Sequence, residues 1–238
     1  MAMTESDRTP HRPRMPADRA ERIRRWHHDA LNRNHGRTEI TVDYLGLRLT
    51  IPPTVLPITP VSHLMGEAVL AEVTPADRVL DMGTGSGVNA ILAARTATEV
   101  LAVDINPDAV AAARDNAETN RVGDRVTVRL GDCFDGVTGR FDLIVFDPPF
   151  RWFTPRDHAE AATADADYRT LRRFFRQAEH HLTDRGRLLV FFGSTGDIDF
   201  LKELAETAGY HRETIAEFTE TVDDWPVGYH TFRFSRVD

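Results

Sequence analysis

From residue 78 onward the chain alternates between two apolar rhythms. Short runs that are almost wholly apolar, at Arg78–Met82, Val100–Val103, Val126–Leu130, Leu143–Phe146 and Arg187–Phe192, read as buried strands. Between them, Gly87–Arg95, Pro107–Asn120, Ala166–Leu182 and Asp197–Ala208 repeat their apolar positions at helical spacing. Strand–helix alternation of this kind predicts an α/β domain, a parallel sheet with helices on both faces. The pattern changes at the end. Arg212–Thr221 and Gly228–Arg236 read as two strands joined by a turn around Asp224-Trp225-Pro226, which puts an antiparallel strand into a seven-stranded, mostly parallel sheet.

The first 60 residues follow other rules. Residues 1–17 are rich in Pro, Arg and polar groups and read as a disordered arm. Ile23, Trp26, Ala30 and Leu31 predict a helix over Ala20–Asn34. Glu39–Ile51 alternates around Gly46 as a β-hairpin, and the four prolines of Pro52–Pro60 impose an extended loop. A helix over His63–Val73 leads into the main domain. The chain thus divides into an arm (1–17), a helix, hairpin and loop (18–60) and one large domain (61–238).

Composition narrows the setting. The single cysteine, Cys133, excludes an internal disulfide and suits a reducing, cytoplasmic location. No apolar run approaches the roughly 20 residues that cross a bilayer, and acids interrupt the basic N-terminus, so neither a membrane span nor a targeting peptide is expected. The net charge of −8 is unevenly distributed: residues 8–37 carry nine Arg and three acids, whereas residues 38–238 hold −12. The basic arm makes a nucleic-acid contact possible, while the acidic body favours a small-molecule acceptor over a polyanion. His27/His28 and His180/His181 are adjacent pairs that point to two helix faces each, so no metal site is expected. The oligomeric state is left open.

The strongest chemical motif is Val79-Leu-Asp-Met-Gly-Thr-Gly-Ser-Gly87, a strand running into a glycine-rich turn and a helix. Gly83, Thr84 and Gly85 let the backbone turn sharply against a ligand. Asp81 discriminates between ligands. A carboxylate there repels the pyrophosphate of a nicotinamide dinucleotide but helps to bind the ammonium of S-adenosylmethionine (SAM). Asp104 ends the second strand, where an acid accepts both ribose hydroxyls, with Asn106 capping the next helix. Ile105 is expected against the adenine face, and Asp132 and Cys133 at its edge, with Asp132 accepting from the exocyclic amine. These residues resemble the class I SAM-dependent methyltransferases from about Thr59 to the C-terminus. The resemblance implies a Rossmann-like fold and cofactor contacts from Asp81, Gly83, Gly85, Asp104 and Asp132.

The fourth strand ends in Asp147-Pro148-Pro149-Phe150. Two prolines fix the backbone, so the Pro148 carbonyl and the Asp147 carboxylate are two rigid acceptors suited to an NH₂ group, with Phe150 to stack on a planar acceptor. The motif resembles the Asp/Asn-Pro-Pro-aromatic signature of amino-group methyltransferases, most closely the small-domain group that includes the HemK/PrmC-like release-factor glutamine enzymes. That group carries Asn where this chain has Asp147, and a larger N-terminal helical domain. Trp152, Tyr168 and Ser194 are further candidates for the acceptor side. N-methylation of a planar amine or amide is the leading reading. Transfer or cyclisation of the aminocarboxypropyl arm of SAM, a non-catalytic binding protein and a nicotinamide reductase are the alternatives.

Overall fold

A computed structural model of the protein describes residues 10–33, 37–222 and 224–237. It contains a two-stranded and a seven-stranded sheet. The first is the hairpin β1 (Ile40–Tyr44) and β2 (Leu47–Ile51), turned at Leu45 and Gly46, both with positive φ. The large sheet comprises β3 (Arg78–Met82), β4 (Glu99–Asp104), β5 (Val126–Leu130), β6 (Phe141–Phe146), β7 (Leu182–Gly193), β8 (Tyr210–Val222) and β9 (Trp225–Arg236), in the order β5-β4-β3-β6-β7-β9-β8. The chain winds outward from β3 to β5, then returns past β3 to β6. That reversal leaves a crevice at the carboxyl ends of β3 and β6, where open α/β sheets bind ligands. β9 lies antiparallel between β7 and β8, as the apolar pattern predicts.

Helices α1 (Ala17–Arg33), α2 (His63–Glu72), α3 (Val88–Ala93), α4 (Pro107–Thr119), α5 (His158–Ala161), α6 (Arg169–Ala178) and α7 (Ile198–Thr207) accompany the strands. The continuous helix expected over Ala166–Leu182 is broken. Ala166–Tyr168 is a 3-10 turn with Asp167 and Tyr168 at φ +56°, and α6 starts only at Arg169. Asp165 is the reason: its two carboxylate oxygens accept from the backbone N–H of Thr170 and Leu171, which satisfies the first turn of α6 and forces the chain to bend in front of it. A second 3-10 turn, Glu179–His181, ends the segment, and β7 begins at Leu182, five residues before the expected strand. The terminal strands are also longer than predicted, so Trp225 and Pro226 lie within β9 rather than in the turn.

The hairpin is fastened by two side chains. Asn116 of α4 and Asn120, which caps the C-terminal end of that helix, read the backbone of β2 as a neighbouring strand would. Asn116 accepts from Thr50 N–H and donates to the Thr50 and Ser86 carbonyls; Asn120 accepts from Arg48 N–H and donates to its carbonyl. Asn116 is 1% exposed, so truncation strands three backbone groups, the Ser86 carbonyl in a buried place and the Thr50 N–H and carbonyl in part-buried ones. Asn116→Ala is expected to lower stability by about 2–4 kcal/mol in urea denaturation. A loss below about 0.5 kcal/mol would show that water replaces the side chain.

The arm also departs from its composition. Residues 1–9 lie outside the described residues, but residues 10–16 are laid against the protein. His11 packs on the rings of Trp152, Tyr168 and Phe200, and its Nε2 lies 3.0 Å from Asp197 Oδ2. The His11 and Arg14 N–H groups donate to Asp167 and Asp197. Arginine and proline counts cannot register one aromatic box with an acid at its base.

Candidate active site

Three backbone segments meet at the crevice. After β3, Gly83 and Gly85 take positive φ, and the N–H groups of Gly83 and Thr84 both donate to Val103 O, which pins the turn to the end of β4. Gly87 is also left-handed, and a Cβ there would stand 3.0 Å from the Ala113 backbone of α4. Helix α3 can approach α4 this closely only without that side chain.

Asp81 is 1% exposed at the end of β3. Its Oδ2 accepts from Thr84 Oγ1 at 2.6 Å and from Ala90 N–H at 3.1 Å, which leaves Oδ1 without a protein donor among the described residues. Burial pushes its carboxyl up to about 7, against the pull of these bonds. Asp104 accepts from Gly85 N–H at 2.9 Å and from Asn106 N–H at 2.8 Å, so it joins the glycine turn to the end of β4; burial raises it as well. Asn106 caps α4 through Asp108 N–H and donates to Thr54 O. Ile105 presents an apolar side chain that is 50% exposed.

The third segment is the Pro-Pro corner after β6. The Asp147 carboxylate accepts no hydrogen bond among the described residues. The protein massed around it, and then Asp81 nearby, push its carboxyl upward. Its surface nonetheless opens on the crevice, so water offsets part of that push until the crevice is filled. Asp81, buried, raised by burial and by Asp104, and with one oxygen free of protein donors among the described residues, makes a site for a cation.

A pH dependence follows. An acid raised in the folded chain holds its proton across pH 4–7, where the unfolded chain has released it, so the cofactor-free protein loses stability as pH rises through that window. A cationic ligand reverses this by favouring the ionised form. SAM binding at pH 6 is therefore expected to release protons, seen in calorimetry as a heat that varies with the buffer. Affinity should rise roughly tenfold between pH 5.5 and 7.5. A heat independent of buffer and an affinity flat across that range would contradict a cation bound at Asp81.

The remaining predicted residues fall into two groups. Asp132 is on the rim, but its Oδ2 is held by Arg173 Nη1 of α6 at 3.0 Å, and Arg173 also pairs with Asp135; the other Asp132 oxygen stays available. Cys133 has φ +53° and is buried, with its thiol pushed up to about 12, so it offers shape and no nucleophile. Tyr168, Trp152 and Ser194 belong to the scaffold. Tyr168 is fully buried, donates to Phe150 O at 2.7 Å and accepts from Asp197 N–H at 2.7 Å, so it braces the Pro-Pro corner from behind. Trp152 lines a cavity of about 480 Å³ on the arm side, with His11, His27 and Glu160. Ser194 exchanges hydrogen bonds with Gly228 across β7 and β9 and borders a second arm-side cavity of about 390 Å³.

The sequence pattern missed three participants. Val55 of the proline loop is buried, and a Cβ on Gly85 would lie 3.8 Å from it, so this loop closes over the glycine turn. Leu130, paired with Asp104 across β4 and β5, leaves 60% of its surface exposed beside the rim. Arg151 is only 7% exposed and has no acidic partner among the described residues; its guanidinium lies over Trp26 (4.7 Å) and Phe150 (5.2 Å). Burial lowers it to about 10. An arginine directly after an apolar corner, with no acid within five residues on its C-terminal side, is the one sequence signal for it.

The family model of the methyltransferase small domain matches residues 61–215, the segment that supplies the glycine turn, Asp104 and the Pro-Pro corner. The chain belongs to that family. Its cofactor is SAM. A release factor glutamine methyltransferase of Cereibacter sphaeroides is 33% identical over 187 residues, 72% of this chain and 66% of the relative. A ribosomal protein L11 methyltransferase of Bacillus velezensis is 33% identical over 167 residues, 70% of this chain and 47% of the relative. The matches thus span at most about two thirds of these relatives. Among solved structures, the Methanocaldococcus jannaschii tRNA m1G37 methyltransferase superposes with a TM-score of 0.63 at 18% identity, over 86% of this chain and 58% of that one, which shows the fold. The preference for a small-molecule acceptor is overturned. The relatives are named for a release factor and a ribosomal protein, and one neighbour was solved with tRNALeu. The acidic body misled because a charge summed over residues 38–238 does not describe the charge beside the crevice. Among the described residues, no helix is long and apolar enough to cross a membrane.

Proposed function

We propose that this chain transfers the methyl group of SAM to a planar amino or amide nitrogen on a macromolecule. The observation that carries the reading is Asp147: a carboxylate that opens on the crevice at the switch point, with no protein donor among the described residues, on a corner fixed by two prolines and a buried tyrosine. Asp81 and the glycine turn hold the amino-acid end of SAM, Asp104 takes the ribose and Ile105 meets the adenine. Asn106 supports this by capping α4, and Asp132 offers its unpaired oxygen to the adenine edge. Asp147 and the Pro148 carbonyl accept the two hydrogens of the acceptor NH₂ and so turn its lone pair to the sulfonium methyl. Phe150 stacks on the acceptor plane.

The sulfonium is already a good leaving group, so alignment supplies much of the rate. As the C–S bond breaks, the nitrogen lone pair forms the N–C bond, sulfur keeps the electron pair, and the nitrogen gives up a proton afterwards. Asp147, raised towards neutrality, is placed to receive it. A cytoplasmic location fits acceptors such as those named in the relatives. Product analysis tests the reaction. S-adenosylhomocysteine and a methylated acceptor are expected, whereas methylthioadenosine would establish transfer of the aminocarboxypropyl arm.

A further inference from the structure

The Pro-Pro corner has little to hold it from within. Pro148 and Pro149 have no N–H to give, so the corner depends on bonds to the Phe150 carbonyl and on packing against the residues that follow. Arg151, Trp152 and Phe153 are each met by a side chain of the N-terminal segment. The His11 ring packs on Trp152. Trp26 of α1 lies against the Arg151 guanidinium, which also covers the Phe150 ring. Arg24 and His27 meet the Phe153 ring. All of these contacts come from a segment that precedes the part of the chain matched by the family model.

The Phe150 carbonyl itself is reached through a relay. Tyr168 donates to it, and the Tyr168 oxygen accepts from Asp197 N–H. The ionised Asp197 carboxylate in turn accepts from His11 Nε2 at 3.0 Å and from Arg14 N–H at 2.7 Å. The His11 and Asp197 side chains are each 2% exposed, so the pair is sealed from water. The turn that aims Tyr168 is strained as well. Asp167 and Tyr168 both lie in the left-handed region, where a bulky residue rarely goes, and such backbone persists only where its surroundings fix it. His11 N–H is one of those fixings, donating to Asp167 Oδ1 at 2.9 Å. Cover for an apolar surface calls for none of these directed bonds.

We infer that residues 11–27 form a clasp that sets the acceptor side of the Pro-Pro corner, with His11 and Trp26 as positioning residues for methyl transfer. The inference rests on the proposed reaction at that corner. His11 acts through Asp197 and Tyr168 on the Phe150 carbonyl, and Trp26 acts through Arg151 on the Phe150 ring. Neither touches SAM or the acceptor nitrogen.

Hydrogen exchange of the full chain tests the clasp without need of an acceptor. In His11→Ala, peptides covering 150–153 and 194–197 should exchange about tenfold faster or more, and those covering β3 and β4 as in wild type. His11→Gln, which keeps an N–H for Asp197, should recover most of the protection; His11→Phe, which keeps only a ring, should not. Label transfer from methyl-tritiated SAM into the macromolecules of a cell extract should slow about tenfold in His11→Ala, with affinity for S-adenosylhomocysteine unchanged. The double variant with Tyr168→Phe should be little slower than Tyr168→Phe alone, because both substitutions break one relay. Trp26→Ala lies outside that relay, so its effect on the rate should multiply with that of Tyr168→Phe. Unchanged exchange at 150–153 in His11→Ala, or an equal rise in every peptide, overturns the clasp. Local loosening with an unchanged rate of transfer, or His11 and Tyr168 effects that multiply, overturns the positioning role. If the wild-type chain neither binds S-adenosylhomocysteine nor transfers label, it is the methyltransferase reading that fails, and exchange still decides the clasp.

Discussion

Asp147→Ala is expected to slow methyl transfer by on the order of 10²-fold or more, with affinity for S-adenosylhomocysteine within about threefold of wild type. The residue follows β6, across the switch point from Asp81, and its carboxylate has no structural hydrogen bond to lose among the described residues. Removal therefore affects the acceptor and spares the fold. The missing oxygens leave the acceptor nitrogen free to rotate, so its lone pair meets the sulfonium methyl only occasionally. Asp147→Asn keeps one acceptor oxygen and should fall between the two. Label transfer from methyl-tritiated SAM into the macromolecules of a cell extract measures the effect. Equal rates in wild type and Asp147→Ala would remove the residue from the chemistry.

The second large effect is expected from an atom that cannot touch substrate. Tyr168→Phe removes the hydroxyl that donates to Phe150 O and accepts from Asp197 N–H, both in a fully buried region. Two backbone groups lose their only described partner, so stability should fall by about 2–4 kcal/mol in urea denaturation. The Phe150 carbonyl is then free to drift, and with it the Pro-Pro corner, so methyl transfer should fall more than cofactor affinity. Gly196→Ala approaches the same corner from the other side, because a Cβ there would collide with the Phe150 carbonyl, and its cost should be similar. A Tyr168→Phe protein within about 0.5 kcal/mol of wild type would show that the corner is held by packing alone.

Much of the fold was legible because its elements declare themselves locally. The near-continuous apolar runs of β3, β4 and β6 belong to strands covered on both faces, and their period survives without tertiary information. Helix α6 was misjudged for the converse reason. Leu171, Phe174, Phe175 and Ala178 keep a helical period, but the bend in front of them depends on which N–H groups Asp165 caps. Long-range side-chain roles were not legible. Nothing near Asn116 in sequence announces that it reads β2, 66 residues away, and nothing near Tyr168 announces that it holds Phe150. Arg151 is the sharpest case, since its distinguishing property is that no acid pairs with it among the described residues. The glycine turn, Asp104 and Asp147 could be located because their spacing from the strand ends is itself the signal. The acceptor class was misjudged because the summed charge of residues 38–238 was given more weight than the basic N-terminal segment.

The account depends on Asp104 and the glycine turn forming the grip on the nucleoside, with Asp147 beyond the sulfur rather than in the grip. Titration calorimetry of S-adenosylhomocysteine into wild type and Asp104→Ala tests this directly. Two hydroxyl bonds to a carboxylate and the Gly85 N–H contact are lost together, so affinity should fall roughly 30-fold or more. Equal affinity in the two proteins, or no heat of binding in either, would contradict it.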